Sequence, residues 1–593
     1  MDSSRGLRRP PASDRLLPAA SLLAAALCAA PLQAQPSPGL YRWLSAGEQG
    51  TRQPVLAPGP EAPTIPPGSV IGEVRVAARD IFNPDDPGEN RKLFRLANRL
   101  HRTTREGVIK SQLLFKPGDV FNPELIAESA RILRTHDYLY DVDIHPVLRG
   151  DGKVDVEVDT RDVWTLQGGA SFGRAGGKNS TSFSLSDSNF LGTGKEIELD
   201  RIGTVDRTSN LVRYTDPNLL GSRVRLLASY ADNSDGGRQR LEIERPFYSL
   251  DTHWAAGVRS FRDDRLESLY TLGKAETFFR HQTDFVEAYG GYSPGLVDGF
   301  THRWETGFTY TRDDFSRSSK LPIGLFGRGG LGKAIPKLPL PPDRVLAYPW
   351  VRFESVQSQY VVEKDLDRIQ RSEDLNLGRQ YSLLLGLSSP TFGGDGTRWV
   401  AQTALADGWR PTPGQLVLFQ IGASTRWYQK DAENLVAGGR LRYYLRDFGS
   451  QVFYASLGAD LAHRLDGEDQ LLLGGDSGLR GYPLRYQAGD RRFLLTLEQR
   501  FYSDREIFHL AHLGAAVFFD AGQAWFVDTL TPQNRALALQ QQQRILKDIG
   551  LGLRVASSRS SRGAVLHLDV AFPLDRTRSI QSVQWLVSTA DTF

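Results

Sequence analysis

Charged and apolar residues alternate in several C-terminal segments of the chain. Between residues 493 and 502, Glu498 and Arg500 share one parity, while Phe493, Leu495 and Leu497 occupy the other. Because successive side chains of a β-strand point to opposite faces, such a segment has one apolar and one charged face. This pattern predicts transmembrane β-strands that face lipid outside and a polar lumen inside. The same parity rule places further charged residues on the lumen side: Asp520, Arg554, His567 and Asp569.

The region from 69 to 161 has a different pattern. We expect a strand at 70–78, a helix at 91–101, and a second helix that begins at Asn122 as N-cap, with Pro123 at its first position. Alternation at 141–145 and 154–159, around a glycine-containing turn, predicts a hairpin. The order strand, helix, helix, strand, strand predicts a small α+β domain with an open sheet edge.

Residues 162–593 have an all-β texture with an internal repeat. The segments 187–192 and 216–221 are similar, and 246–248 keeps the same phase, at an interval of about 29 residues. That interval fits two membrane strands, one short turn and one loop. With longer loops allowed, we expect about 14–16 strands. A long loop is predicted at 316–349, and a helical insertion into another loop is predicted at 531–547.

The N-terminus has the pattern of a secretory signal. Four arginines precede an Ala- and Leu-rich segment at 16–32, which predicts a signal peptide over 1–34. Lipidation of Cys28 is the alternative. Because Cys28 is the only cysteine, a mature chain could form no intramolecular disulfide. Residues 35–68 are rich in proline and predict a flexible linker.

Composition and motifs exclude several other classes of protein. The net charge of +3 does not indicate a nucleic-acid partner. Residues 327–333 have the glycine spacing of a phosphate-binding loop, but Ala334 replaces the hydroxyl residue that would hold magnesium. The segment 475–478 is similar to a serine-protease nucleophile loop, but Leu479 and Arg480 do not continue that motif. We therefore expect no enzymatic activity, no metal and no cofactor.

A lumen-loop motif links the chain to a known family. Leu479, Arg480, Gly481 and Tyr482 resemble the arginine-glycine-aromatic signature of the BamA/TamA-like outer-membrane assembly superfamily, the bacterial surface antigen family. The segment 518–522 resembles that family's partner motif, and 550–554 and 568–574 resemble its penultimate strands. Residues 114–119 and 133–142 are similar to its POTRA repeat. The resemblance implies a mainly β fold: one POTRA domain at 69–161 and a 16-stranded antiparallel transmembrane barrel at 162–593.

The resemblance and the parity pattern together predict a site in the lumen. We expect Arg480 to bind Asp520, with Glu498 as a second partner, since a buried arginine needs a carboxylate. The alternative is a set of solvated lumen charges, as in a porin. The predicted partners of the loop are the following: Phe518, Asp520, Gly522, Glu498 and Arg500.

A barrel seam is also predicted, between a first strand at 164–172 and a last strand at 583–593. Its glycines suggest weak pairing, although simple glycine bends are an equal interpretation. The predicted seam residues are the following: Trp164, Gly168, Gly169 and Phe593.

The function implied by the resemblance is insertion or export of client proteins by strand addition at the POTRA edge and at the seam. The implied partners are the outer-membrane bilayer, unfolded client proteins and accessory periplasmic or lipoprotein subunits, with the POTRA domain in the periplasm. A two-partner secretion pore for one dedicated substrate is an alternative, although 35–68 is short for the extra elements of that family. A passive pore or surface receptor is the third possibility.

Overall fold

The protein consists of a small α+β domain followed by a large closed antiparallel β-barrel. The predicted signal peptide and Phe593 lie outside the residues that the structure describes, and the predicted insertion at 531–547 is described only from residue 544. None of the described helices is long and apolar enough to cross a membrane. The computed structural model describes residues 51–53, 65–87, 89–318, 340–446, 449–508, 510–527, 544–558, 565–577 and 580–590.

The α+β domain has a three-stranded sheet covered by helices. Its central strand, β4, pairs in parallel with β2 and antiparallel with β3, so that β2 and β3 are the edges. Asn122 caps the last helix by accepting a hydrogen bond from the backbone N–H of Glu124, as predicted. The bounds are β2 (Ile71–Arg79), α1 (Lys92–Leu100), α2 (Glu106–Gln112), α3 (Pro123–Arg134), β3 (Leu139–Leu148) and β4 (Val154–Asp162).

Two details of this part of the chain differ from the prediction. Helix α2 was missed, because seven residues are too few to show a helical period. The segment predicted as a flexible linker contains a short strand, β1 (Thr51–Gln53), which pairs with a strand of a barrel loop. No proline lies between Pro38 and Pro54, so the backbone N–H groups of β1 are available for pairing.

The barrel has twenty strands, so the prediction of sixteen is wrong. Each repeat interval does hold two strands, as predicted. The strand number was underestimated because strands β5 to β10 are short and use fewer residues than the predicted strands and long loops. The strands are β5 (Leu166–Ala175), β6 (Lys178–Asp187), β7 (Glu196–Gly203), β8 (Thr208–Leu219), β9 (Val224–Asn233), β10 (Gly236–Arg245), β11 (Trp254–Thr271), β12 (Lys274–Tyr292), β14 (Phe300–Ser316), β15 (Arg344–Gln357), β18 (Gln380–Ser388), β19 (Arg398–Trp409), β20 (Gln415–Tyr428), β21 (Asp431–Leu445), β22 (Gln451–His463), β25 (Arg491–Ile507), β26 (Ala511–Trp525), β27 (Leu546–Ser557), β28 (Val565–Pro573) and β29 (Gln584–Ala590).

The remaining strands belong to loops. Strand β13 (Leu296–Val297) pairs with the start of β14. Strands β16 (Tyr360–Lys364) and β17 (Ser372–Asn376) form a hairpin between β15 and β18, and β23 (Leu471–Leu473) and β24 (Gln487–Gly489) form another between β22 and β25. Since β4 leads directly into β5, we call the barrel end beside the α+β domain the near rim and the opposite end the far rim.

The sequence repeats form matching turns at the near rim. In each turn an asparagine side chain, Asn189 or Asn218, accepts a hydrogen bond from the backbone N–H five residues later. Its amide group then donates to a hydroxyl of the α+β domain: Asn189 to Thr104 at 2.7 Å, and Asn218 to Ser111 at 2.8 Å. The repeat that the sequence displays therefore attaches the α+β domain to the barrel.

The alternation of apolar and charged positions is present in the barrel wall. Leu551 and Leu553 are exposed on the outside of β27, whereas Arg554 is buried. On β26, Val517 is exposed and Asp520 is buried. The lumen-facing positions of these strands are therefore polar and buried, as the parity rule predicts.

Candidate functional site

The far-rim loop between β22 and β25, residues 464–490, carries the predicted motif into the lumen. Its β23–β24 hairpin holds the tip, and Leu479 and Tyr482 at the tip are fully buried. They pack with Leu473 and Leu546 in an apolar cluster. This packing fixes the loop on both sides of Arg480 and turns its side chain toward β25, β26 and β28.

Arg480 binds three carboxylates. Its Nε and Nη2 donate to the two oxygens of Asp520 at 2.7 and 3.0 Å. Its Nη1 donates to Glu498 at 2.7 Å and to Asp569 at 3.2 Å. The predicted contacts with Asp520 and Glu498 are thus present, and the bidentate geometry is the stronger form of an arginine–carboxylate pair. The guanidinium also lies 3.4 Å from the ring centre of Phe518.

The neighbours of Arg480 leave little space around it. A side chain on Gly481 would meet the Cβ of Asp548 at 2.7 Å, and one on Gly522 would meet the carbonyl oxygen of Phe493 at 2.7 Å. The Tyr482 hydroxyl donates to the carbonyl of Lys547 at 2.8 Å and accepts from its backbone N–H. The glycines and the tyrosine of the motif therefore allow the loop to lie directly on the strands.

The far-rim loop also crosses the mouth of the barrel. Arg485 donates to both carboxylate oxygens of Asp206, in the β7–β8 turn, at 2.8 and 2.6 Å. The Gln470 side chain forms reciprocal hydrogen bonds with the backbone of Tyr270, at the end of β11. Because β11 lies on the other side of the barrel from β22 and β25, the loop spans the far end of the lumen.

A second loop, which the sequence did not reveal, enters the lumen from the near rim. It comprises residues 358–379, including the β16–β17 hairpin. Leu366 and Ile369 at its tip are buried against Tyr444 and Tyr454 of the barrel wall. The Glu373 carboxylate accepts backbone N–H bonds from residues 366, 367 and 368, which orders the tip. The missed signal was the two apolar residues Leu366 and Ile369 inside the otherwise polar and charged segment 363–374.

Glu498 and Arg500 join the two loops. Arg500 is almost fully buried, and its Nε donates to Glu498 at 2.9 Å. Its Nη1 donates to Asp367 of the near-rim loop at 3.2 Å and also to the carbonyl of Leu366. A continuous series of ion pairs therefore runs from Arg480 through Glu498 and Arg500 to Asp367.

The near-rim loop also touches the α+β domain. The Arg131 guanidinium of α3 lies 4.0 Å from the ring centre of Tyr360, and Arg134 pairs with Asp374 at 3.4 Å.

At the end of α3, burial lowers the pKa of His136 from its usual 6.5 to about 4. This imidazole therefore stays neutral at ordinary pH.

The predicted seam is only partly where we expected it. Strand β29 does meet β5, and among the described residues their ladder is the pair Val587 and Arg174, which lies beyond the predicted first strand at 164–172. Gly168 and Gly169 pair with β6 on the other edge of β5, and the positions that this register would set against them on the seam side lie outside the described residues. Trp164 precedes β5 and packs against the α+β domain.

Two further residues belong to the ion-pair group. Asp569 binds both Arg480 and Arg554, and Arg554 also lies 3.6 Å from Glu498. Their parity was visible in the sequence, but their contact with the loop was not. Among the described residues, no group of three or more His, Cys, Asp or Glu side chains could hold a metal ion.

One family comparison concerns the α+β domain. Residues 101–161 match the family described as "POTRA: Surface antigen variable number repeat". This segment is POTRA-like. It covers α2, α3, β3 and β4, and β2 and α1 complete the same folded domain. A search of curated proteins finds no match to the chain.

The solved structures that the chain matches are distant from it. BamA from Haemophilus ducreyi lacking POTRA domains 1–3 is 13% identical, with 91% of this chain and 89% of that chain covered and a TM-score of 0.37. CdiB from Acinetobacter baumannii is 10% identical (93% and 95% covered, TM-score 0.36), and CdiB from Escherichia coli is 13% identical (93% and 95% covered, TM-score 0.38).

Proposed function

We propose that this protein is an outer-membrane barrel that inserts or exports client proteins by strand addition at the POTRA-like domain and at the seam. The observation that carries the proposal is the contrast between a filled lumen and a weakly paired seam. Loops from both rims occupy the lumen and are joined by Arg480, Glu498 and Arg500. Among the described residues, the ladder from β29 to β5 is one residue pair.

The filled lumen argues against a passive pore. Solutes would have to pass both the far-rim loop and the near-rim loop, and each is held by buried ion pairs. The short ladder between the described residues of β5 and β29 offers a different route, because a client strand can pair with strand edges once they separate. The POTRA-like sheet supplies a second edge. Pro146 lacks an N–H and weakens β3 as a partner, which leaves β2, beyond its first residue Ile71 that already bonds to Asp119, as the better edge for a client strand.

Locking the seam tests this function. Since the predicted mature chain has no cysteine, Arg174→Cys with Val587→Cys, in a Cys28→Ser background, introduces one disulfide across β5 and β29. We expect the oxidised variant to fail to complement a strain depleted of the protein, and reduction to restore complementation. The matched control is Phe172→Cys with Thr181→Cys, which joins β5 to β6 away from the seam.

The readout is the composition of the outer membrane measured by quantitative proteomics. Broad loss of barrel proteins on depletion and on locking supports an assembly factor. Loss of one secreted protein supports a dedicated export pore. An unchanged outer membrane, with a locked protein as active as the control, contradicts the proposal.

A further inference from the structure

Helix α1 of the POTRA-like domain has an apolar side that nothing in the described structure covers. Leu93, Leu96 and Leu100 are 68%, 49% and 66% exposed, and their spacing puts them on one side of the helix. Phe94, on the adjacent side, is buried. The apolar surface of α1 is therefore wider than the part that packs on the domain.

The segment around α1 is strongly basic. Six of the fifteen residues from 91 to 105 are arginine or lysine, and none is acidic. All six are exposed: Lys92, Arg95 and Arg99 lie in α1, Arg91 precedes it, and Arg102 and Arg105 follow it. A short helix whose exposed leucines are flanked by basic residues is typical of segments that lie in the membrane interface.

Helix α1 is held at the level of the near rim. The rings of Phe94 and Phe82 stack at 4.2 Å, and the Asn98 side chain forms two hydrogen bonds with the backbone of Phe82. At the end of the helix, His101 Nε2 lies 2.9 Å from Asp162, the last residue of β4 before the barrel. These contacts hold one side of α1 against the domain, and the side that carries the leucines stays exposed.

The buried side of α1 packs on the barrel beside β5. Phe94 packs with Trp164 and with Leu510 of the β25–β26 turn. Trp164 lies two residues before Leu166, the exposed first residue of β5. The exposed leucines therefore belong to a helix that is anchored at the near rim, close to the seam.

We propose that α1 is an interfacial helix: it inserts Leu93, Leu96 and Leu100 into the adjacent leaflet and places its arginines among anionic phospholipid headgroups. The occupant of the stripe is thus the bilayer rather than a protein. The inference rests on the proposed membrane location of the barrel and does not depend on client handling. It adds a lipid-binding surface beside β5, where the seam would open.

The test uses the full mature chain in vesicles and a fluorescent label on a single cysteine. Leu96→Cys reports on the stripe, and Lys153→Cys is the control. Lys153 lies at the start of the nine-residue β4, about 30 Å from the barrel. Vesicles of phosphatidylcholine, with or without phosphatidylglycerol, contain a lipid with a nitroxide on its acyl chain. Shifted electrophoretic mobility without heating verifies that each variant has a folded barrel.

We expect the nitroxide lipid to quench the label at position 96 several-fold more than the label at position 153. Phosphatidylglycerol should increase that difference, because each Lys or Arg near an anionic surface strengthens its binding about five-fold. Replacing Arg91, Arg95 and Arg99 with Gln should remove the effect of phosphatidylglycerol.

Three outcomes would overturn the inference. Equal quenching at positions 96 and 153 would place the stripe outside the bilayer. If quenching at position 96 changed neither with phosphatidylglycerol nor with the arginine replacements, the arginines would not bind anionic headgroups. A label that nitroxide lipid does not quench, but that is shielded from aqueous iodide, would mean that protein covers the stripe. Failure of the client-assembly tests would leave these measurements unaffected.

Discussion

The wall that receives Arg480 and the seam differ sharply in how they are held together. Between β26 and β27 the ladder is continuous from Ala511 to Gly522. The loop adds ion pairs on the lumen side of that wall, through Asp520 and Glu498. Between β29 and β5, in the part of the chain that the structure describes, the ladder is the pair Val587 and Arg174.

This difference indicates where the barrel can open. Free energies of local opening in one protein range from near zero up to the global stability, depending on local pairing and burial. The wall around Arg480 combines both sources of stability, whereas the seam has little of either. An opening that admits a client strand would therefore leave the loop and its wall intact.

Among these predictions, removal of Arg480 should have the largest effect, and it acts on the barrel wall that the far-rim loop contacts. Arg480→Ala leaves Glu498, Asp520 and Asp569 buried without their shared partner, which should destabilise the barrel by about 3–5 kcal/mol. Denaturant unfolding in detergent or vesicles measures this change. Arg464→Ala, at the exposed base of the same loop, where Arg464 pairs with Asp431, is the control and should cost about 1 kcal/mol or less. Equal losses of unfolding free energy in the two variants would contradict a larger contribution of Arg480 to barrel stability.

Hydrogen exchange compares the local stability of the seam with that of the β26–β27 ladder. We expect backbone N–H groups of β29 that point toward β5 to exchange at least about 100-fold faster than those in the β26–β27 ladder. This ratio corresponds to about 3 kcal/mol. Exchange followed by mass spectrometry of the reconstituted protein measures both regions in one sample. Similar protection in both regions would mean that the seam is not weak.

Arg500 allows the near-rim loop to be loosened separately. Arg500→Gln removes its bonds to Glu498 and Asp367 and should cost about 2 kcal/mol. Because the far-rim loop still spans the lumen, conductance in planar bilayers should stay close to that of the unmodified protein. The double variant, with Arg480→Gln as well, should raise conductance by about tenfold. If Arg500→Gln alone opened the pore as widely, the far-rim loop would be no barrier.

His136 gives the smallest expected effect, in the domain outside the barrel. Its folded pKa of about 4 is below the usual 6.5, so the unfolded chain binds its proton more readily. Stability contributed by the neutral imidazole is complete above pH 6.5 and falls as the pH drops toward 4. Between pH 7 and 5.5 we expect a loss of about 1 kcal/mol. Urea unfolding followed by a label on Lys153→Cys measures it, and His136→Gln should remove this part of the pH dependence.

The sequence predicted the parts of the structure that depend on local patterns. The strand parity placed Glu498, Asp520 and Arg554 in the lumen, and the order of elements predicted the α+β domain. Strand number was not predictable in this way, because it depends on how many residues each connection uses. The near-rim loop was missed because its insertion is fixed by distant contacts, such as that between Asp367 and Arg500.

The positions of the Arg480 partners constrain the order in which the barrel can be completed. Its three carboxylates lie on β25, β26 and β28, so the complete site for the arginine exists only when these strands have come together. The loop can become fixed only after β25, β26 and β28 have paired. Ordering of this loop is therefore a late event, which reports that the C-terminal strands have reached their final register.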